Sequence, residues 1–305
     1  MKNRKLYYFA LIPCLIGIVI GSFFDFKINS TIFSKNNGFG IFFSAFAPMI
    51  GYSCLVIISG FIHRAAIKEK VIWIKICYFL LSIAGFVAMV IISAGHVSSV
   101  NAYDCPDWKW LWIIIEALIF GGIFYVGDYF GKQNEDKNIV YAAIIFSIFV
   151  IIDLVPATQI IKAIVSRPRF RITIDDSYGF QTTFTNWWEH FDGYDALKAQ
   201  YEGTIPSFSE HFKSFPSAHA SIAAILIIGL PFLCNIIPQF KNKETLMFII
   251  GMLFTVLMAF TRLLVGAHYL TDVSFGVLIM IVLSIIANEI NLKFFIKDNN
   301  AVKLD

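Results

Sequence analysis

The chain has 305 residues, of which 58% are hydrophobic and only 15% charged. That balance excludes an ordinary soluble domain and makes the bilayer the solvent. The net charge of +3 is spread over short loops, so no basic patch of the kind that binds nucleic acid is present.

Eight stretches are apolar enough to cross about 30 Å of hydrocarbon as helices of roughly 20 residues. They lie near residues 7–24, 41–62, 74–94, 110–127, 139–161, 217–237, 246–264 and 271–291. The first follows Met1-Lys2-Asn3-Arg4-Lys5, as a secretory signal would. No small-residue cleavage site follows Gly21-Ser22-Phe23-Phe24, so it is read as a retained helix. Cys14, Cys54, Cys77 and Cys234 fall in apolar spans and Cys105 in a loop, which gives neither a disulfide framework nor a metal-ligand spacing. Glu116 and Asp153 fall inside spans, where ionisable groups are expensive. They are read as facing the bundle and pairing with a neighbouring polar group, with Asp153 near Pro156 helping to satisfy a distorted backbone; a transport path is the other reading.

Polar chemistry is concentrated in three clusters. The first follows the fifth span: Lys162 and Arg169 stand seven residues apart, with Pro168 ending any helix before the second cation. Such a pair can grip a phosphate, the guanidinium through its planar fork and the ammonium as a point charge. Ordinary snorkelling at a helix end would use the same residues. The second cluster is Pro216-Ser217-Ala218-His219, ahead of a long apolar run. Ser217 is a good N-cap, which would leave the amides of Ser217 and Ala218 as free donors at the positive end of a helix, an anion site. His219 would sit in the first turn beside it, suited to proton donation, unless it is simply an interfacial histidine behind a cap.

The third cluster runs from Arg262 through His268 to Asp272. If the last helix has begun by His268, the histidine and Asp272 share a face. A carboxylate accepting from one ring nitrogen leaves the other as a nucleophile, and Arg262 adds a third cation. Between the first two clusters, Asp175, Asp176, Glu189, His190 and His211 invite a metal reading, but no HExxH-like spacing is present and no metal is expected. Trp187, Trp188 and Phe191 read as interfacial anchors.

Basic residues alternate between loops. Lys2, Arg4, Lys5, Arg64, Lys68, Lys70, Lys132, Lys137, Lys241, Lys243, Lys293, Lys297 and Lys303 all fall on one side of the eight spans. By the positive-inside rule both termini are cytoplasmic, and all three clusters lie at the extracytoplasmic face. The expected architecture is an all-α, polytopic membrane helix bundle forming one domain over 1–305. Its parts are N-terminal transmembrane helices over 1–138, a core over 139–291 that carries the three clusters, with an outer loop at 162–216, and a cytoplasmic tail at 292–305.

Together the clusters resemble the type 2 phosphatidic acid phosphatase (PAP2) family, whose pattern is K-x6-RP, PSGH and SR-x5-H-x3-D. Here the pattern reads Lys162-x6-Arg169-Phe170, Pro216-Ser217-Ala218-His219, and Thr261-Arg262-x5-His268-x3-Asp272. Phe170, Ala218 and Thr261 depart from it, and none of these changes removes a charged or nucleophilic group. The family usually has six spans; two more precede the motifs here, an even number that keeps them on the same side.

The resemblance implies that His268 is a nucleophile forming a phosphohistidine, that Asp272 orients it, and that His219 protonates the leaving oxygen. Lys162, Arg169, Arg262, Ser217 and the amide of Ala218 would hold the phosphoryl oxygens, without a metal ion or other cofactor. The implied substrate is a phosphorylated lipid drawn from the surrounding membrane lipids: phosphatidic acid, phosphatidylglycerophosphate or an isoprenyl diphosphate such as undecaprenyl diphosphate. A soluble ester such as a sugar phosphate, a transporter, and a silent membrane scaffold are the alternatives.

Overall fold

The computed structural model describes residues 4–99, 108–175, 180, 182–205 and 207–296. Lys2, Cys105, Asp176, Lys297 and Lys303, with most of the expected tail at 292–305, lie outside the described residues.

Four long helices come first: α1 (Arg4–Ile32), α2 (Gly38–Lys68), α3 (Ile72–Ser98) and α4 (Lys109–Gly131). The fifth span opens as α5 (Lys137–Ile152), widens into a π-turn over Asp153–Ala157 and closes as α6 (Thr158–Val165). Pro156 lies in the widened turn, where its missing N–H removes a rung of the helical ladder. Two short helices, α7 (Phe170–Ile174) and α8 (Tyr194–Tyr201), belong to the outer loop. The last three are α9 (Ala218–Leu233), α10 (Glu244–Leu264) and α11 (Leu270–Asn291).

Seven of these segments are long and apolar enough to span a membrane, and α9 is a shorter apolar helix, so the chain is an all-α polytopic bundle. Its exterior is apolar: Phe23, Trp73 and Leu118 are each at least 74% exposed, as lipid-facing side chains are. α9 is apolar on every side and is buried at nearly every position, packed against α2, α10 and α11. It is the central post of the bundle.

Helix α1 runs well past the expected end at residue 24. Asp25 and Asn29 interrupt the apolar run, yet both are buried against protein rather than lipid. A polar side chain with a protein partner does not end a membrane helix. At the opposite end of the bundle the basic loop residues also tie helices together. Arg64 pairs with Asp128, His63 Nδ1 lies 2.8 Å from the same carboxylate, and Lys68 donates to the carbonyls of Gly131, Lys132 and Asn134.

The outer loop has its own aromatic core. Ile172, Phe180, Phe208 and Phe212 are buried, with Phe191, Tyr194 and Tyr201 packed around them. Phe191 and Trp187 therefore depart from the expected anchoring role. Trp187 stacks on Phe215 and donates from Nε1 to Ser22 of α1 at 2.9 Å, while Trp188 remains 54% exposed.

Candidate active site

The site lies at the end of the bundle where α9 and α11 begin and α6 and α10 finish. Ser217 caps α9, its Oγ accepting from the Ala220 amide at 3.4 Å. The Ser217 amide is not the free donor expected: it donates to the Asp272 carbonyl at 2.9 Å, which seats the start of α9 on α11. Gly276 permits this approach, since a Cβ there would stand 2.4 Å from the Ser217 carbonyl oxygen. The amides left at the helix start are those of Ala218 and His219, whose own carbonyl partners would lie before the helix. Both residues are half-buried, in contrast to the buried residues around them.

Arg262 sits in the last turn of α10 and is 2% exposed. Its Nη2 donates to the Gly40 carbonyl of α2 at 2.8 Å, and its Nε has no hydrogen-bond partner among the described residues. A buried guanidinium N–H without an acceptor is a donor awaiting an anion.

The chain then turns through Val265–Tyr269, and α11 begins only at Leu270, so His268 precedes the helix and does not share a helical face with Asp272 as expected. His268 is 1% exposed, and its Nδ1 donates to the backbone carbonyl of Ser214 at 2.6 Å. A carbonyl can only accept, which puts the proton on Nδ1 and leaves the Nε2 lone pair available. The expected partner, Asp272 Oδ2, stands 3.8 Å from Nδ1, beyond hydrogen-bond range. Its carboxylate instead accepts from the Ser214 hydroxyl at 2.5 Å and the Tyr269 amide at 2.8 Å. Asp272 thus orients His268 at one remove, through the segment that carries the accepting carbonyl. Burial, opposed by the Asp272 carboxylate and reinforced by Arg169 and Lys162, lowers the His268 pKa to about 3, so the ring is neutral near pH 7.

The first cluster lies within electrostatic reach of this ring. Lys162 is buried in α6, donating from Nζ to the Lys213 carbonyl at 3.1 Å. The helix stops three residues later, where Ser166 takes a left-handed conformation at φ 47°, ahead of Pro168. Arg169 forms the N-cap of α7, its amide donating to the His211 carbonyl at 2.9 Å. Lys162 and Arg169 lie within electrostatic reach of His268, and Arg169, Arg262 and His268 within reach of His219. The fold therefore brings Lys162, Arg169, His219, Arg262 and His268 to the same end of the bundle, within electrostatic reach of the two histidines, with Asp272 holding the Ser214 segment.

Several neighbours are absent from the sequence reading. Arg167 has a fully buried side chain: Nη1 donates to Asp272 at 2.5 Å and to the Thr271 hydroxyl at 2.8 Å, Nη2 to Asp25 at 3.0 Å, and Nε to the Thr185 carbonyl at 2.8 Å. Its guanidinium also stacks over the Tyr269 ring, 4.1 Å from the centroid. Asp25 inside the first apolar run was the available signal, because a membrane carboxylate demands a partner. His96 of α3 meets His219 edge to face, centroids 5.0 Å apart, and its Nε2 lies 3.3 Å from the Tyr52 hydroxyl of α2. Phe170, in the place of the pattern's proline, is fully buried against Phe26, Phe33 and Tyr269. Glu116 and Asp153, which the sequence did single out, are buried within the bundle as expected, but the expected polar pairing is not found for Asp153, neither of whose carboxylate oxygens has a hydrogen-bond partner among the described residues.

A sequence model of the PAP2 superfamily matches residues 138–295, just over half of the chain, and the match takes in all three clusters. No curated protein and no solved structure gives a match. With the three clusters converging on one site inside the matched region, the chain belongs to the PAP2 superfamily.

Proposed function

We propose that this chain, a member of a superfamily of phosphatases acting on phosphate esters, hydrolyses the phosphomonoester or diphosphate of a lipid through a phosphohistidine on His268. The observation that supports the reading is the Nδ1–Ser214 hydrogen bond, which leaves Nε2 unprotonated on a ring that lies within electrostatic reach of Arg169 and Lys162.

In this reading the Nε2 lone pair attacks phosphorus and the bond to the ester oxygen breaks. His219 gives its proton to the departing oxygen. Lys162, Arg169, the spare Nε of Arg262 and the Ala218 amide bear the charge that builds on the equatorial oxygens. A water, deprotonated by His219, then attacks phosphorus, the P–N bond breaks, phosphate leaves and both rings return to their starting state. The cations supply the charge stabilisation without a metal ion. The membrane setting and the family's frequent use of lipid esters favour a phosphorylated lipid over a soluble ester. The clustering of basic loop residues at the opposite end of the bundle favours cytoplasmic termini and an extracytoplasmic site.

The test is phosphate release by the detergent-purified protein in EDTA from phosphatidic acid, phosphatidylglycerophosphate, undecaprenyl diphosphate and glucose 6-phosphate, beside His268→Ala. The expected result is release from a lipid substrate that the variant lacks, with 32P trapped on histidine. Equal turnover by the variant would overturn the mechanism, and preference for glucose 6-phosphate would overturn the lipid assignment.

A further inference from the structure

The residues that fix the His268 loop do not all come from the matched region. Three side chains of α1 reach across 142 or more positions of sequence to the site end of the bundle. Asn29, fully buried, donates from Nδ2 to the backbone carbonyl of His268 itself at 2.9 Å. Asp25, 2% exposed, accepts from the Thr271 amide at 3.1 Å through Oδ1, while its Oδ2 accepts from the Thr271 hydroxyl and from Arg167. Ser22 accepts from Trp187. Just beyond the helix, the Ser34 amide donates to the Leu264 carbonyl at 2.8 Å, holding the other end of the same turn. The helix can lie this close because residue 21 is glycine: a Cβ there would stand 2.9 Å from the Thr271 amide nitrogen.

These contacts are more than helix packing would require. A buried carboxylate is stable only when paired, and Asp25 is paired with the backbone and hydroxyl of the residue next to Asp272 and with the guanidinium that holds Asp272. A chain of contacts therefore runs from Asp25 to Arg167, to Asp272, to Ser214 and to Nδ1 of His268. Asn29 fixes the backbone of His268 from the other side.

We propose that α1 is a working part of the site, in which Asp25 and Asn29 are positioning residues that hold Nε2 of His268 in line with the phosphorus. This rests on His268 being the nucleophile. It extends the site beyond the residues that the superfamily pattern covers. Neither side chain touches substrate; both act through the 268–272 turn.

The test uses the full-length protein with Asp25→Asn, Asn29→Ala, His268→Ala and, as a lipid-facing control on the same helix, Phe23→Leu. Activity is measured on whichever ester of the panel above the wild type turns over fastest, with orthovanadate as a competitive probe of the phosphate site. Misplacing a nucleophile by a fraction of an ångström is expected to lower kcat roughly 10- to 100-fold. KM and the vanadate inhibition constant should stay within about two-fold, because the cations that grip the anion are untouched. In an Asp272→Asn background Asp25→Asn should add little, since both act through one chain of contacts. Asn29→Ala removes a single hydrogen bond and leaves the charged network intact, so it decides the matter if Asp25→Asn does not fold. Wild-type kcat in these variants while His268→Ala is silent would overturn the proposal, as would a rise in KM alone or loss of folded protein in both. Activity in His268→Ala would instead overturn the reading on which it rests.

Discussion

Nδ1 of His268 donates to the carbonyl oxygen of Ser214 at 2.6 Å, so the ring is oriented by a backbone atom. The carboxylate four residues on controls that atom by accepting from the hydroxyl of the same serine. This division of labour separates variants that a direct histidine–aspartate pair would make equivalent.

Ser214→Ala keeps the accepting carbonyl and loses only the hydroxyl, so kcat is expected to fall by less than about ten-fold, a loss of one hydrogen bond. Asp272→Ala leaves Arg167 buried beside a missing charge. It is expected to cost about 3–5 kcal/mol of stability and to lower kcat far more. Steady-state rates and thermal unfolding of the two variants in one detergent check the order.

Arg167 holds two carboxylates, a hydroxyl and a carbonyl with one planar fork. Lysine has the charge without the geometry and cannot reach all four acceptors. Arg167→Lys is therefore expected to unfold at a clearly lower temperature than wild type, and Arg167→Met lower still, because Asp25 and Asp272 would face each other uncompensated. A wild-type melting temperature in Arg167→Met would refute this account of the network.

Acid should destabilise the protein through His268. Burial lowers the folded pKa from 6.5 to about 3, opposed by Asp272 and reinforced by Arg169 and Lys162, so the unfolded chain binds the extra proton between those values. The stabilising contribution is present above pH 6.5 and is lost as pH falls towards 3. His211 in the outer loop, lowered to about 4 by burial, Arg171 and Arg169, acts in the same direction. The melting temperature is expected to fall between pH 7 and pH 4, and to fall less in His268→Asn, whose amide can still donate to Ser214. An equal drop in both would remove His268 as a source of the acid sensitivity.

Arg262 should affect binding of the phosphoryl group and its transition state together, and His96 binding more than chemistry. Arg262→Lys loses the unpartnered Nε and is expected to weaken vanadate inhibition about ten-fold. His96→Phe keeps the ring contact with His219 and removes the polar edge. It is expected to raise KM several-fold with a smaller change in kcat, and a full substrate saturation curve separates the two.

The amino-acid sequence by itself determined that the chain lives in a bilayer as an all-α bundle and marked the three polar clusters that the fold brings to one end; it read eight spans, where the described residues form seven long apolar helices and the shorter α9. Each of those signals is local: an apolar run, a basic loop, a histidine and its neighbours within a few positions. It also suggested pairings that rested on helical register, and these failed where register was assumed. His268 precedes α11 rather than lying on it, and the Ser217 amide is used by the Asp272 carbonyl.

Only the tertiary structure decided what stands behind His268. Asp25 and Thr271 meet across 246 positions, and Asn29 and His268 across 239. The rotation that brings them together depends on how α1 packs against α11, which its periodicity does not reveal. Lipid tails are as apolar as leucine, so hydropathy says that α1 crosses the membrane but not which side chains face the protein. That choice is made by small residues that allow close approach and by buried polar groups that must find partners. Gly21, Asp25, Asn29 and Arg167 found theirs only once the helices were assembled.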